Sequence, residues 1–338
     1  MKLESVQELK AEIFGRPKML VEGAFATSFR AFANKREAID RALSRVALGV
    51  FREGPRKYKL AIRTQRRDLG TLAIVEQMTK KAKNEVEIRY IGHLVKRAGD
   101  PTQPEYYHQS RRPLQSGASI GDLRTGFVTA GSLGCFVRDR ATRALGFLSN
   151  NHVLANENAT PLGSKIYQPG TLDSAAQAAN VVGKLAGFNK LSASVDNLVD
   201  VAWAEMTPGL EASLALGALG DLAGLAELSS LHTGDKVFKI GRTTGQTEGR
   251  FTGASSIDNV KVEYHLGVLT FNDQVEFEGV GSRAFSDDGD SGSLIVDESL
   301  NAVALLFAGG DVGGSNGRGL TYGNPIHTAL DELKLDLA

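Results

Sequence analysis

The chain has 338 residues, 42% of them apolar and 23% charged, with 39 basic and 39 acidic side chains. That is enough apolar material for real cores, while no run approaches the ~18 consecutive apolar residues of a membrane span. The N-terminal MKLESVQELKAEIFG carries charges every few residues and has no apolar signal region, so a soluble, cytoplasmic protein with no membrane partner is expected. The zero net charge hides an asymmetry: residues 1–112 hold 24 Lys and Arg against 13 Asp and Glu, and the remainder holds 15 against 26. Such a split points to an interaction role for the basic part. Docking on the acidic remainder of the same chain is the favoured form of it, and nucleic acid is the weaker candidate.

In chain order, residues 1–97 read as a small α+β unit. Helical patterning covers 4–13 and 34–46, and VALGVFR (46–52) and KYKLAIRT (57–64) read as strands joined by the turn REGPR. A helix follows over about 69–83, its Lys80, Lys81 and Lys83 forming a solvated face, and then the alternating strand EVEIRYIG (85–92). No ligand motif occurs here, and His93 reads as structural. Residues 98–118, rich in Pro, Gln, Ser and Gly, read as a linker with His108 and the dibasic Arg111 and Arg112 in solvent. From 119 to 338 the texture changes to short β-like runs separated by Gly- and Asn-containing turns, among them GSLGCFVR, ALGFLSNNHVL, DKVFKIGR, QVEFEGV and AVALLFAGG. Regular short strands with turn punctuation predict a mainly β sandwich or barrel. The Leu/Ala/Gly-rich segment 208–231 reads as a surface connection with a short helix, and HTALDELKL (327–335) as a closing amphipathic helix. Cys135, the one cysteine, sits in the apolar run GCFV and reads as a buried structural thiol; with no partner for a disulfide, it fits a reducing compartment.

Three short stretches carry chemistry. Gly-Asp-Ser-Gly around Ser291 is either an acidic turn or a loop that presents a serine, its glycines permitting unusual backbone angles and close approach of a substrate. A serine hydroxyl is a weak nucleophile and needs a base, a group to orient that base, and donors for the oxyanion. His152, in FLSNNHVLA (147–155), is the base candidate, although a lone histidine at a strand end is more often structural. Asp200, in LVDVAWAEM (198–206), is the orienting candidate, because a carboxylate inside an apolar run is costly to bury without a partner.

Taken together, these stretches resemble the chymotrypsin/trypsin-like serine protease family. SNNHVLA is similar to its histidine motif, VDVAWA to its Asp-hydrophobic-Ala strand, and GDSGSLIV to its serine loop and the strand after it. The three residues follow the order His, Asp, Ser at separations of 48 and 91 residues. VFKIGRTTGQTEGRFTG (237–253) also resembles the hairpin before the serine loop in bacterial members, and the resemblance covers roughly 119–336. It implies a double β-barrel catalytic domain behind a small N-terminal α+β domain. It implies His152 as general base and acid, Asp200 as its orienter, Ser291 as nucleophile, and the N–H groups of Gly289 and Ser291 as the oxyanion hole, with Asp290 shaping the loop. The implied substrate is a polypeptide, with no cofactor and no metal. By the same analogy a specificity pocket is floored near Phe285 and Ser286 and walled by Phe307, Ala308 and Gly309. Phe285 stands where trypsin-type pockets carry an aspartate, which favours small or medium apolar residues before the cut, while Asp287 and Asp288 sit at the rim.

The chain departs from the family in informative ways. Asn150 and Asn151 precede His152 and Val153 follows it, so the usual cysteine and its disulfide are lost, as in the cytosolic branch found in bacteria and plants. No new N-terminus is evident to pair with Asp290, so activation by an inserted terminus is not expected. HExxH, CxxC and phosphate-loop motifs are absent, the aspartates at 287, 288 and 290 do not fit an EF-hand, and glycine-rich 309–319 reads as a loop beside the pocket. Two other readings stay open at this point, together with homo-oligomerisation: a catalytically silent barrel that binds peptides as a scaffold, and an adaptor whose basic first part binds nucleic acid.

Overall fold

The computed structural model describes residues 1–15, 43–92, 94–96, 106–123 and 130–338. Most of the helix expected over 34–46 and all of His93 lie outside these residues.

The first layer follows from alternation. Helix α1 (Leu3–Gly15) is followed by strands β1 (Val46–Gly54) and β2 (Lys57–Thr64), an antiparallel hairpin across the expected turn. Helix α2 (Leu69–Lys81) is capped by Asp68, whose carboxylate accepts the Thr71 N–H at 2.9 Å. It crosses over to β3 (Val86–Tyr90), parallel to β2, and the two-residue β4 (Val95–Lys96) comes next. Odd and even positions of β2 face opposite ways. Leu60 and Ile62 pack with Val6, Ile13, Ile74 and Met78 of the helices, while Ala61 joins a different core with Leu320 and Tyr322.

The barrels come from the rest of the chain. β5 (Leu114–Gln115), β6 (Ser119–Asp122), β7 (Gly131–Ser132), β8 (Phe136–Asp139) and β9 (Leu145–Ser149) lead into the single turn α3 (Asn151–Leu154). β10 (Lys165–Tyr167), β11 (Val181–Phe188) and β12 (Ala202–Met206) complete the first half. After the short β13 (Ala212–Ser213) and β14 (Gly224–Leu225) come β15 (Lys236–Gly241), β16 (Gly245–Phe251), β17 (Ala254–Asp258), β18 (Val260–Tyr264), β19 (Gly267–Phe271) and β20 (Val275–Gly279). The chain ends with β21 (Leu294–Asp297), β22 (Asn301–Gly309), β23 (Leu320–Pro325), α4 (Ile326–Glu332) and β24 (Leu335–Leu337).

One sheet runs β24-β8-β9-β12-β11-β10-β6-β7 and curls into a half-barrel. In the other, β22, β21, β15, β16, β20 and β23 close on themselves, because β22 also pairs with β23. The two inner faces hold separate cores, and a third fills the seam between barrels, where Cys135, Val137 and Leu148 meet Leu294, Leu305 and Ile326. This is the chymotrypsin-like double β-barrel, with the α+β layer added at its N-terminal side. Burial pushes the Cys135 thiol up to about 12, as a structural cysteine requires.

The layer joins the second barrel in two ways. β17 leaves the barrel to pair antiparallel with β1, giving the order β17-β1-β2-β3. Arg63 of β2, fully buried, makes a two-pronged bond to Glu276 of β20, Nε to Oε2 at 2.7 Å and Nη2 to Oε1 at 2.9 Å. Tyr322 Oη and Thr252 Oγ1 add donors to the same carboxylate at 2.7 and 2.9 Å. Burial alone would raise the Glu276 carboxyl, but Arg63 overrides it and holds it below the usual glutamate range. A depressed carboxyl contributes stability that is fully present above its unfolded value, about 4.3, and lost as pH falls through the lower folded value. The stability gap between the native chain and Glu276→Gln is therefore expected to be widest at neutral pH and to shrink below about pH 4.3, read from urea midpoints. A gap independent of pH would contradict the ion pair.

Four local expectations change. His108, expected in solvent, has a side chain only 9% exposed, with Nδ1 3.5 Å from Asp173 Oδ1. Leu114 and Ala118, at the end of the segment read as linker, are fully buried, and β5 pairs with β13. Segment 208–231 holds β13, β14 and a 3-10 turn (Leu228–Ser230) but no α-helix, because glycines at 209, 217, 220 and 224 all take left-handed φ values. The closing helix stops at Glu332. Lys334 turns the chain at φ 55°, and Leu335 and its neighbours then extend as a strand along β8.

Candidate active site

His152 and Asp200 meet because their strands pair. β9 ends at Ser149, and Asn150, extended at φ −80° and ψ 156°, starts the single turn α3 that carries His152. β12 begins just after Asp200 and aligns Ala202 with Ser149. The two ends therefore arrive side by side. His152 Nδ1 lies 2.5 Å from Asp200 Oδ2, and the His152 main-chain N–H donates to Oδ1 at 3.2 Å. Asp200 is fully buried yet well satisfied. Tyr264 Oη donates to its Oδ2 at 2.6 Å, its main-chain N–H donates to Asn324 Oδ1 at 3.0 Å, and its carbonyl accepts from Asn150 Nδ2 at 2.7 Å. With the carboxylate as acceptor, His152 carries its proton on Nδ1 and presents a lone pair at Nε2. Nε2 is buried and has no hydrogen-bond partner among the described residues. Tyr264 packs edge-on against the imidazole, ring centres 5.7 Å apart. Burial, and after it the Asp200 charge, raises the Tyr264 phenol well above its ordinary value, so it remains a neutral donor.

Ser291 sits in the loop between β20 and β21, fully buried. The first barrel grips this loop. Ser132 N–H donates to the Ser291 carbonyl at 2.8 Å, and Ser132 Oγ to the Gly289 carbonyl at 3.0 Å. Gly292 takes φ +92°, and a Cβ there would lie 2.1 Å from Ser149 Oγ and 2.3 Å from the Ser132 carbonyl, so no larger residue fits. Near Gly131 the two segments come together: a Cβ on that glycine would meet Val153 Cγ2 at 2.5 Å and the Ser291 carbonyl at 2.8 Å. The structure thus brings the segment of His152 and Asp200 up against the segment of Ser291. Ser291 Oγ lies 3.5 Å from the carbonyl of Phe307.

Asp290 is held from inside the barrel. Its Oδ1 accepts the N–H groups of Thr243 and Thr244 at 3.0 and 3.1 Å, and its Oδ2 accepts Thr244 Oγ1 at 2.6 Å and Asp287 N–H at 3.0 Å. Lys239 Nζ of β15 lies 3.1 Å from Oδ2, with both side chains fully buried. Burial lowers the Lys239 ammonium below its usual value, and the Asp290 charge only partly offsets this. The partner for Asp290 that the sequence did not reveal is therefore a lysine within the same barrel.

The residues read as a specificity pocket divide. Phe307 and Ala308 belong to a core with Tyr264, Phe271, Ile91 and Leu94. Phe307 lies at a register shift of β22, between Leu306 and Ala308, where a bulge re-aims side chains. Phe285 is 2% exposed and packs in another core with Phe277, while Ser286 Oγ lies 2.6 Å from Thr321 Oγ1. Lys239, Tyr264 and Asn324 were not singled out from sequence. Lys239 had a usable signal, a charge between Phe238 and Ile240 in an apolar strand, the same argument that singled out Asp200. Tyr264 reads like any strand aromatic, and Asn324 like a turn residue before a proline.

No family model matches the chain, and no curated protein matches it either. Among solved structures it is similar to Protease A of Thermobifida fusca, at 20% identity and a TM-score of 0.44 over 67% of this chain and 99% of that one. The chymotrypsin of Cellulomonas bogoriensis gives the same identity, coverage and TM-score. A glutamic acid-specific serine protease gives 21% identity and a TM-score of 0.46 over 67% of this chain and all of its own. Among the described residues, no helix is long and apolar enough to cross a membrane, and no group of three or more His, Cys, Asp or Glu is placed to hold a metal ion.

Proposed function

We propose that the chain is a serine endopeptidase. Ser291 Oγ attacks the carbonyl carbon of a peptide bond while His152 Nε2 takes its proton. The imidazolium, held by Asp200, passes that proton to the leaving amine, and an acyl-enzyme on Ser291 remains. A water molecule then attacks the ester carbonyl, giving its proton to His152; the bond to Ser291 Oγ breaks, His152 returns the proton to Oγ, and the carboxylic acid product leaves. The N–H groups of Gly289 and Ser291 stabilise the oxyanion, in a loop whose shape Asp290 and Lys239 fix in advance. The observation that carries this reading is the Asp200–His152 pair: a fully buried, fully satisfied carboxylate 2.5 Å from Nδ1, which leaves Nε2 without a partner among the described residues. A structural histidine would ordinarily have both nitrogens bonded once buried.

Residues 119–338 carry this chemistry in the proposal, after a connecting segment at 98–118 whose end at Leu114 and Ala118 is buried, and residues 1–97 dock on the barrel to regulate it or recruit substrate. The Arg63–Glu276 pair supports the docking. The test is labelling with a fluorophosphonate, read by mass spectrometry, alongside cleavage of a mixed peptide library. A single adduct on Ser291 is expected, with both adduct and cleavage abolished in Ser291→Ala. Equal labelling or cleavage in that variant would overturn the proposal.

A further inference from the structure

The strand lying beside Ala308 and Gly309 comes from the N-terminal part of the same chain. β4 pairs antiparallel with β22, Val95 against Gly309 and Lys96 against Ala308, and parallel with β18, Val95 against Glu263. It closes the gap between these strands in the order β19-β18-β4-β22. The approach to β4 is anchored. Ile91 and Leu94 are each 1% exposed and share a core with Tyr264, Phe307 and Ala308. Between them Gly92 takes φ +66°, and a Cβ there would lie 2.3 Å from a Val312 methyl in the loop after β22. One residue before Ala308, the Phe307 carbonyl is 3.5 Å from Ser291 Oγ. Whatever pairs with β22 at Ala308 and Gly309 therefore runs alongside the serine.

We infer that the chain's own residues 95 and 96 occupy in cis the edge of β22 that a substrate peptide would need beside Ser291, and so hold the site closed to it. The inference rests on reading Ser291 as the nucleophile. An extended peptide gains affinity from a sheet edge through main-chain hydrogen bonds, with side-chain pockets adding specificity. β4 uses the same means: a short ladder on β22, and Ile91 and Leu94 buried next to Phe307 and Ala308. Because it is tethered, β4 competes at an effective concentration in the millimolar range, so a free peptide bound this way sees only the fraction of molecules whose edge is open. The N-terminal layer holds the segment in register, since β1 pairs with β17 and Arg63 with Glu276 on the same barrel.

The test compares fluorophosphonate labelling rates at Ser291 in the full native chain and in the full chain carrying Val95→Pro/Lys96→Pro. Proline removes whichever main-chain donors these two residues supply to β22 and β18. Labelling about tenfold faster in the variant is expected, the effect of losing one or two main-chain hydrogen bonds, and a synthetic peptide of residues 88–97 is expected to slow it again. Equal rates, with the native chain labelled at Ser291, overturn the self-occupancy and leave the nucleophile in place. No labelling of either chain overturns the nucleophile and this inference with it. Should the prolines prevent folding, Leu94→Ala shortens the anchor without touching the ladder. It is expected to accelerate labelling in the same direction, and an unchanged rate in it overturns the inference.

Discussion

Asp200→Asn is expected to lower the turnover of a peptide substrate by about 10⁴-fold, the scale known for this change in a His-Asp-Ser triad. The cause is the tautomer. Asp200 Oδ2 can only accept, so it fixes the proton on His152 Nδ1 at 2.5 Å and leaves Nε2 free to take a proton. An asparagine whose amide faces Nδ1 donates there instead, which puts the proton on Nε2 and removes the base. Its other bonds survive: the main-chain links of residue 200 to Asn324 and Asn150 are untouched, and Tyr264 Oη, which faces the same side-chain atom as His152 Nδ1, is able to reverse its role and accept from the amide nitrogen. The loss therefore belongs in turnover, with the urea midpoint shifted far less than the rate. A fall smaller than tenfold, measured on any peptide the native chain cleaves, would show that Asp200 does not orient the base.

The second large effect concerns Lys239. Lys239→Met is expected to destabilise the fold by about 3–5 kcal/mol, because it leaves the Asp290 carboxylate buried without its cation. The remaining donors from Thr243, Thr244 and Asp287 stay in place, so the variant isolates the charge. Lys239→Met/Asp290→Asn is expected to recover a large part of the loss, since removing both charges removes the desolvation cost along with the attraction. Activity is not expected to recover in step, because Asp290 lies between Gly289 and Ser291, whose N–H groups are the proposed oxyanion donors. Denaturant midpoints at constant slope measure the first effect and labelling of Ser291 the second. A single variant as stable as the native chain would mean that the pair has little bearing on the loop.

The sequence was most informative where the chemistry is local. The β1–β2 hairpin, the helix after it and the strands around Ser149, Lys239 and Ile295 are apolar runs bounded by turn residues, so their positions follow from local composition and punctuation. Asp200 stood out as a carboxylate inside an apolar run, which burial forces to find a partner, His152 as a histidine in the polar turn after an apolar strand, and Ser291 as a serine set between glycines. What remained hidden depends on distant pairing. β4 is two residues long, and nothing in Val95 or Lys96 announces that β22, more than 200 residues later, receives them. The buried state of His108 comes from Asp173, and that of Arg63 from Glu276, both remote in sequence. Segment 208–231 misled for a different reason. Its Leu and Ala content suits a helix, but four glycines in left-handed conformations divide it into turns before a helix can propagate.

The pairing of β1 with β17 orders events during synthesis. The two strands lie about 200 residues apart, so at 5–20 residues per second β1 leaves the ribosome roughly 10–40 s before its neighbour exists. Throughout that interval its outer edge presents unpaired amide and carbonyl groups, the surface on which strands of other nascent chains add. Arg63 waits in water for Glu276 over the same period, and β4 has no β18 or β22 to join. The β1–β3 layer, made before the barrels, is thus completed only after them, and exchange of β17 between neighbouring chains is the error that crowded translation would favour.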